Sequence, residues 1–229
     1  MKQKLLLLHG ALGTKDQFKV LETKLSPEFN VLSFDFEGHG GQQSNNDFSM
    51  SLFVGNVVDF LKKNKIDSVH VFGYSMGGYV ALCLASKHPH LVKRIITLGT
   101  KFDWTRATAE KEVKMLNPNS IEEKVPRFAS HLETIHGKNW KKMVVKTANM
   151  MLGLGEEAYL SKNELGGVSH EILIGVGSND SMVSIEESEA CTDALPNGNL
   201  EIIEEFEHSI EKVDSLVLST LISNFIKVN

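Results

Sequence analysis

The 229-residue chain is poor in cysteine: Cys83 and Cys191 are too few for a disulfide framework and do not have the spacing of a metal site. Cys83 falls in an apolar helical stretch, where a small buried hydrophobe is its expected role. Long runs of one charge sign are also missing, and 24 Lys+Arg against 29 Asp+Glu leave a formal net charge of −5. Without a basic stripe to follow phosphates, nucleic acid is not an expected partner. No stretch approaches the roughly 18 apolar residues of a membrane span. The opening run Leu5–Leu8 is far shorter than the about 7–15 residues of a signal-peptide core, and it leads straight into His9-Gly10. No internal repeat or low-complexity tract is present. These absences predict a soluble, cytoplasmic globular protein, monomer or dimer, of one α/β domain with or without an insertion.

What is present is an alternation of short apolar runs with helical patterns. Leu5–Leu8, Val31–Phe36, Val69–Phe72, Ile95–Leu98, Ile172–Val176 and Leu200–Ile203 read as strands, several of them apolar throughout, as strands covered on both faces are. Helices are expected near 15–25, 49–64 (capped by Asp47 or Ser49), 76–87, 186–194 and 209–227. This alternation predicts an α/β fold: a mainly parallel sheet of about six strands with helices on both faces.

The rhythm breaks over residues 101–169, which carry helical patterns at Glu110–Leu116, Ile121–Ile135, Trp140–Leu152 and Glu156–Leu160. The chain therefore divides into a core of 1–100 and 170–229 and a helical insertion of 101–169. The insertion holds both tryptophans and four of the eight methionines (Met115, Met143, Met150 and Met151). Most of these residues must simply pack the insertion onto the core. Adaptable apolar side chains would also suit a lid, because ligands of open α/β sheets bind beyond the strand carboxyl ends, where such insertions emerge.

Gly73-Tyr74-Ser75-Met76-Gly77-Gly78 joins the third strand to the next helix with no spare residue, the pattern of a nucleophile elbow. Such a turn holds its serine in a strained conformation, and Gly73 and Gly77 leave room around it. Ser75 is the candidate nucleophile; the bland alternative is a glycine-rich turn.

Activating a serine needs a base, and the base needs an orienting carboxylate. Of nine histidines, His70, His88, His90, His131 and His136 read as surface or satisfied structural residues, His170 lies at the wrong sheet edge, and His9 and His39 sit in glycine loops near the right one. His208 follows the last strand at the carboxyl edge, where a base is needed. Asp180, in the loop after the fifth strand, is the candidate acid, with Asp35 and Asp103 as rivals and a turn-capping aspartate as the alternative. Donors to an oxyanion are assigned to the backbone N–H groups of Met76 and Ala11. Tyr74, Phe102, Trp104 and Met182 are candidate pocket residues. No ligand set for a metal is apparent, and no cofactor is called for.

Taken together, His9-Gly10, Asp35 to Gly40, the Gly73–Gly78 turn, Gly177…Asp180…Val183 and His208 resemble the α/β-hydrolase superfamily over essentially the whole chain. The resemblance implies that fold, a wholly parallel sheet without the family's frequent antiparallel hairpin, a helical cap at 101–169, and structural roles for Asp35 and Gly38-His39-Gly40. Serine at position 75 is unlike the aspartate of the similar haloalkane dehalogenases. The turn also looks like that of the menaquinone-pathway synthases, but Tyr79 stands where that group usually has arginine. The resemblance therefore implies a cofactor-free serine hydrolase, a carboxylesterase acting on a small or medium, partly apolar ester or related acyl substrate. Carbon–carbon bond hydrolysis or elimination on the same triad is one alternative, and a ligand receptor working by lid movement is another.

Overall fold

Leu5, Leu6, Leu7 and Leu8 are all fully buried, yet alternate ones belong to two different cores. Successive strand side chains point to opposite faces, so an all-apolar strand must be covered on both. This strand, β1 (Gln3–Leu8), lies inside a six-stranded sheet in a computed structural model that describes residues 2–227. The others are β2 (Phe29–Ser33), β3 (Val69–Tyr74), β4 (Val92–Leu98), β5 (Glu171–Gly177) and β6 (Gly198–Ile203). All pairings are parallel, in the order β2-β1-β3-β4-β5-β6.

One face is covered by α1 (Lys19–Leu25) and α10 (Ser215–Lys227), whose Leu21, Leu25, Leu218 and Ile222 meet Leu5, Leu7, Phe72 and Ile96. The other is covered by α2 (Met50–Lys63), α3 (Met76–Lys87) and α9 (Ile185–Ala194), with Phe53, Val57, Val80 and Cys191 against Leu6, Leu8, Val71 and Ile174. Between β4 and β5 the chain forms α4 (Arg106–Val113), α5 (Pro118–Lys124), α6 (Pro126–His136), α7 (Trp140–Glu156) and α8 (Lys162–Gly166). Their apolar faces, with Leu132, Trp140, Met143 and Val144, continue the second core. Among the described residues no helix is long and apolar enough to cross a membrane.

Several boundaries differ from the sequence reading. The second strand ends at Ser33 rather than Phe36, because the Phe36 N–H turns away to donate to His9 Nε2 (3.1 Å). The helix expected over Ile121–Ile135 is two helices: Pro126 has no N–H and its ring would clash one turn back, so the chain breaks at Val125 and restarts with proline in the first turn. Glu156–Leu160 is not a helix of its own; α7 runs on to Glu156, and the next helix starts two residues beyond Leu160, where Ser161 and Glu164 make a reciprocal capping box. The 209–227 helix is interrupted, with a short 3₁₀ turn at Ile210–Lys212 and α10 beginning only at Ser215. Ser49, not Asp47, caps α2 by accepting the Leu52 N–H.

The order of strands places the site. From β1 the chain leaves toward β2 on one side, and from β3 it leaves toward β4 on the other. The loops after β1 and β3 therefore part at the carboxyl edge, opening the crevice that α/β sheets use for ligands.

Candidate active site

Ser75 sits between β3 and α3 at φ 50°, ψ −117°, a conformation costly for any residue with a β-carbon. Hydrogen bonds through both its backbone groups hold it. Its N–H donates to the Leu98 carbonyl (2.8 Å), and its carbonyl accepts from the Gly78 N–H (3.0 Å) and from Thr100 Oγ1 (3.0 Å). The end of β4 thus clamps the turn from outside. Gly73 and Gly77 are needed for space: a β-carbon on Gly73 would stand 2.5 Å from the Gly77 carbonyl carbon, and one on Gly77 would run into the Leu8 carbonyl. The loop after β1 passes equally close, since a β-carbon on Gly10 would be 3.3 Å from Ser75 Cβ.

His208 Nδ1 lies 2.9 Å from Asp180 Oδ2 and 3.1 Å from Oδ1. A carboxylate only accepts, so Nδ1 carries the proton and Nε2 is left with a lone pair. Asp180 is almost wholly buried, its side chain 1% exposed, and Oδ1 also accepts the N–H groups of Met182 and Val183, each at 2.9 Å. Burial alone would raise this carboxyl's pKa. The bond and charge of His208, with the two backbone donors, outweigh it and hold the group below the usual carboxylate range.

Ser75, Met76, Ala11 and His208 all line one cavity of about 50 Å³. Trp104, Met150, Met151, Leu154, Met182 and Val183 supply most of its apolar wall, and Lys101 and Glu112 also border it. Among the described residues no protein acceptor takes the N–H of Ala11 or of Met76. A larger cleft of about 600 Å³ shares Ala11 with this cavity and runs between α6 and the segments at Asp16–Leu21 and Ile210–Leu218. No group of three or more His, Cys, Asp or Glu side chains among the described residues could hold a metal ion.

Two of the four expected pocket residues are elsewhere. Tyr74 points to the opposite core, and its hydroxyl donates to the His208 carbonyl (2.9 Å), steadying the loop that carries the histidine. Phe102 packs toward Tyr79, with ring centroids 6.5 Å apart, and its N–H donates to Glu187 Oε1 (2.9 Å). Of the rival acids, Asp35 is engaged by Lys15 through both its backbone N–H (2.8 Å) and Nζ (2.7 Å), and Asp103 is exposed.

The loop histidines are structural. His9 is fully buried: Nε2 accepts the Phe36 N–H, so Nδ1 donates to the Gly10 carbonyl (2.8 Å), and burial pushes its pKa down to about 4. His39 is buried against Phe48, which also drives its pKa well down. The sequence reading missed Gly99 and Thr100, which follow β4. Gly99 at φ 58° lies beside both Asp180 and His208, and Thr100 holds the Ser75 carbonyl. The Gly-Thr pair at a strand's carboxyl end was the available signal.

A family model described as alpha/beta hydrolase fold matches residues 4–126. A Haemophilus influenzae protein provisionally named an esterase/lipase is 23% identical over 229 residues, covering 93% of this chain and 80% of its own. A Cyberlindnera fabianii protein provisionally named an alcohol acetyltransferase is 32% identical over 103 residues, 43% of this chain, which spans only 27% of that protein. A solved carboxylesterase of Nitrososphaera gargenis superposes with a TM-score of 0.80 at 17% identity, over 99% of this chain and 92% of that one, a likeness of fold.

Proposed function

We propose, from the premise that the chain belongs to the alpha/beta hydrolase fold family, that it is a serine hydrolase cleaving carboxylic esters through Ser75, His208 and Asp180. One observation carries the reading: the buried Asp180 holds His208 through Nδ1, and His208 lines the same cavity as the strained Ser75. Electrons and protons then follow a double displacement. His208 Nε2 takes the Ser75 proton as Oγ attacks the ester carbonyl, and the tetrahedral oxyanion is met by the N–H groups of Ala11 and Met76. The imidazolium, stabilised by Asp180, gives its proton to the leaving alcohol. Water deprotonated by His208 then attacks the acyl-enzyme and restores Ser75.

The size of the cavity supports a short acyl group, and its methionine- and tryptophan-rich wall supports an apolar one. The cleft reached past Ala11 offers room for the leaving group. Residues 101–169 act in this reading as a lid, since Trp104, Met150, Met151 and Leu154 line the Ser75 cavity from that segment.

A fluorophosphonate probe followed by peptide mapping tests the assignment. Labelling of Ser75, lost in Ser75→Ala and strongly slowed in His208→Ala, is expected. An inert Ser75 in folded protein would exclude covalent serine chemistry. Labelling together with negligible turnover of p-nitrophenyl esters from acetate to octanoate would move the reading to carbon–carbon bond cleavage.

A further inference from the structure

The last residue of α6, His136, belongs to the inserted helices but spends both ring nitrogens on core loops. Its ring is buried; Nδ1 accepts the Gly40 N–H (3.0 Å), so Nε2 carries the proton and donates to the Leu12 carbonyl (2.9 Å). Both residues it grips have left-handed backbones. Leu12 lies at φ 58° and Gly40 at φ 60°. For leucine that conformation is strained and persists only where the surroundings enforce it. Within the loop itself the Gly13 N–H returns to the Gly10 carbonyl (3.2 Å), and His136 is the side chain that grips the Leu12 peptide from outside. The residue before Leu12 is Ala11, whose N–H has no protein acceptor among the described residues and which lines the Ser75 cavity.

We infer that His136 is a positioning residue for the oxyanion site: by holding Leu12 in its left-handed conformation it aims the Ala11 N–H, so the inserted helices form part of the catalytic apparatus as well as its cover. The inference rests on the serine-hydrolase reading for its catalytic half, while the clamp on the loop stands on geometry alone. Pre-organised donors act only from the right place, and a misplacement near 1 Å can cost about 10²-fold. A lid that moved away would carry His136 with it and leave Leu12 without its outside partner. Docking of the helices and competence of the site are thereby coupled.

Three variants test this. His136→Phe keeps the ring volume and loses both bonds; His136→Gln offers an acceptor and a donor; His136→Leu, which also has neither, stands in should the phenylalanine variant fail to fold. For His136→Phe, kcat on p-nitrophenyl acetate should fall about 10- to 100-fold with KM within about threefold. Affinity for a boronic acid, a mimic of the tetrahedral species, should fall in parallel. Amide exchange of the peptide 9–14 should quicken, and His136→Gln should recover most of each loss. Unchanged exchange in that peptide overturns the clamp whatever the activity. Lowered thermal stability with kcat and boronic-acid affinity kept would make His136 a packing residue only and overturn the positioning role. If wild-type Ser75 does not label with a fluorophosphonate, the hydrolase reading and the catalytic half fail together, and faster exchange in the variant would still establish the clamp.

Discussion

Gly99 lies so close to Asp180 that a β-carbon placed on it would stand 3.1 Å from Oδ2, and 3.3 Å from His208 Nδ1. The position is also left-handed, at φ 58°. Gly99→Ala therefore meets two penalties: backbone strain of about 1–2 kcal/mol and pressure on the carboxylate–imidazole pair. Thermal melting should drop by about 2–8 °C for a chain of this size. Turnover should fall at least about tenfold, because His208 is displaced from the position Asp180 gives it. A variant with normal turnover would mean that the Asp180–His208 geometry does not govern the rate.

Ser75 itself offers a cleaner measurement of strain. At φ 50°, ψ −117° any residue with a β-carbon is strained, whereas glycine is not. Alanine normally exceeds glycine in stability because glycine loses more chain entropy on folding. Here the order should invert, with Ser75→Gly more stable than Ser75→Ala by about 1–3 kcal/mol in urea unfolding, both being inactive. Equal or reversed stabilities would show that the turn holds its conformation without cost.

Much of this architecture was legible because it is local. The helix Met76–Lys87 begins and ends where the apolar pattern and the strand–serine–helix turn place it, and all six strands exist where apolar runs predict them. Pro126 was an equally local signal, overlooked inside an otherwise helical pattern. What was not legible depends on partners far along the chain. Tyr74 meets the His208 carbonyl across 134 positions, and His136 reaches Gly40 and Leu12 across 96 and 124. Nothing around His136 distinguishes it from neighbouring helical histidines; only the strand order brings those loops beneath α6. Tyr74 is a pocket candidate on the sequence, but strand alternation turns it to the opposite core.

Asp180→Asn separates orientation from packing. An amide keeps the shape and can still accept from Met182 and Val183 through its oxygen, which leaves an NH₂ toward His208. Nδ1 must then accept, the proton moves to Nε2, and in the proposed mechanism His208 can no longer take the Ser75 proton. The fall in kcat should approach about 10⁴, the loss in serine-protease triads for the same change. The pH dependence of stability follows from the depressed carboxyl. Its folded-state pKa lies below the ordinary value of about 3.9, so its contribution is complete above that pH and fades as pH falls through the folded value. Urea unfolding of wild type and Asp180→Asn should still differ clearly at pH 5 and converge only below about pH 4. Convergence already at pH 6 would contradict an ionised, well-partnered Asp180.

His9 predicts acid sensitivity in a different window, and with the sign set by its burial. Desolvation is the dominant influence on it; the Gly10 carbonyl and Asp35 pull its pKa upward, His136 and Lys15 push it down, and the result is about 4. Unfolded, the same imidazole titrates near 6.5. Between those values the unfolded chain binds a proton that the native protein refuses, so stability rises with pH across the interval and is lost as pH falls from about 6.5 to 4. A gap of about two and a half units corresponds to about 3 kcal/mol in total. Protonation would also convert Nε2 from acceptor to donor against the Phe36 N–H, parting the loop after β1 from the end of β2. His9→Gln should be less stable than wild type at pH 7.5, yet lose less of its stability on going to pH 4.5. His39 and His136, which interact electrostatically with His9, remain in both proteins, so the difference between the two curves reads His9 together with its coupling to them. Parallel curves across pH 7.5 to 4.5 would show that His9 takes up its proton in the native state without penalty, and that its burial between two loops does not shape the acid limit of the fold.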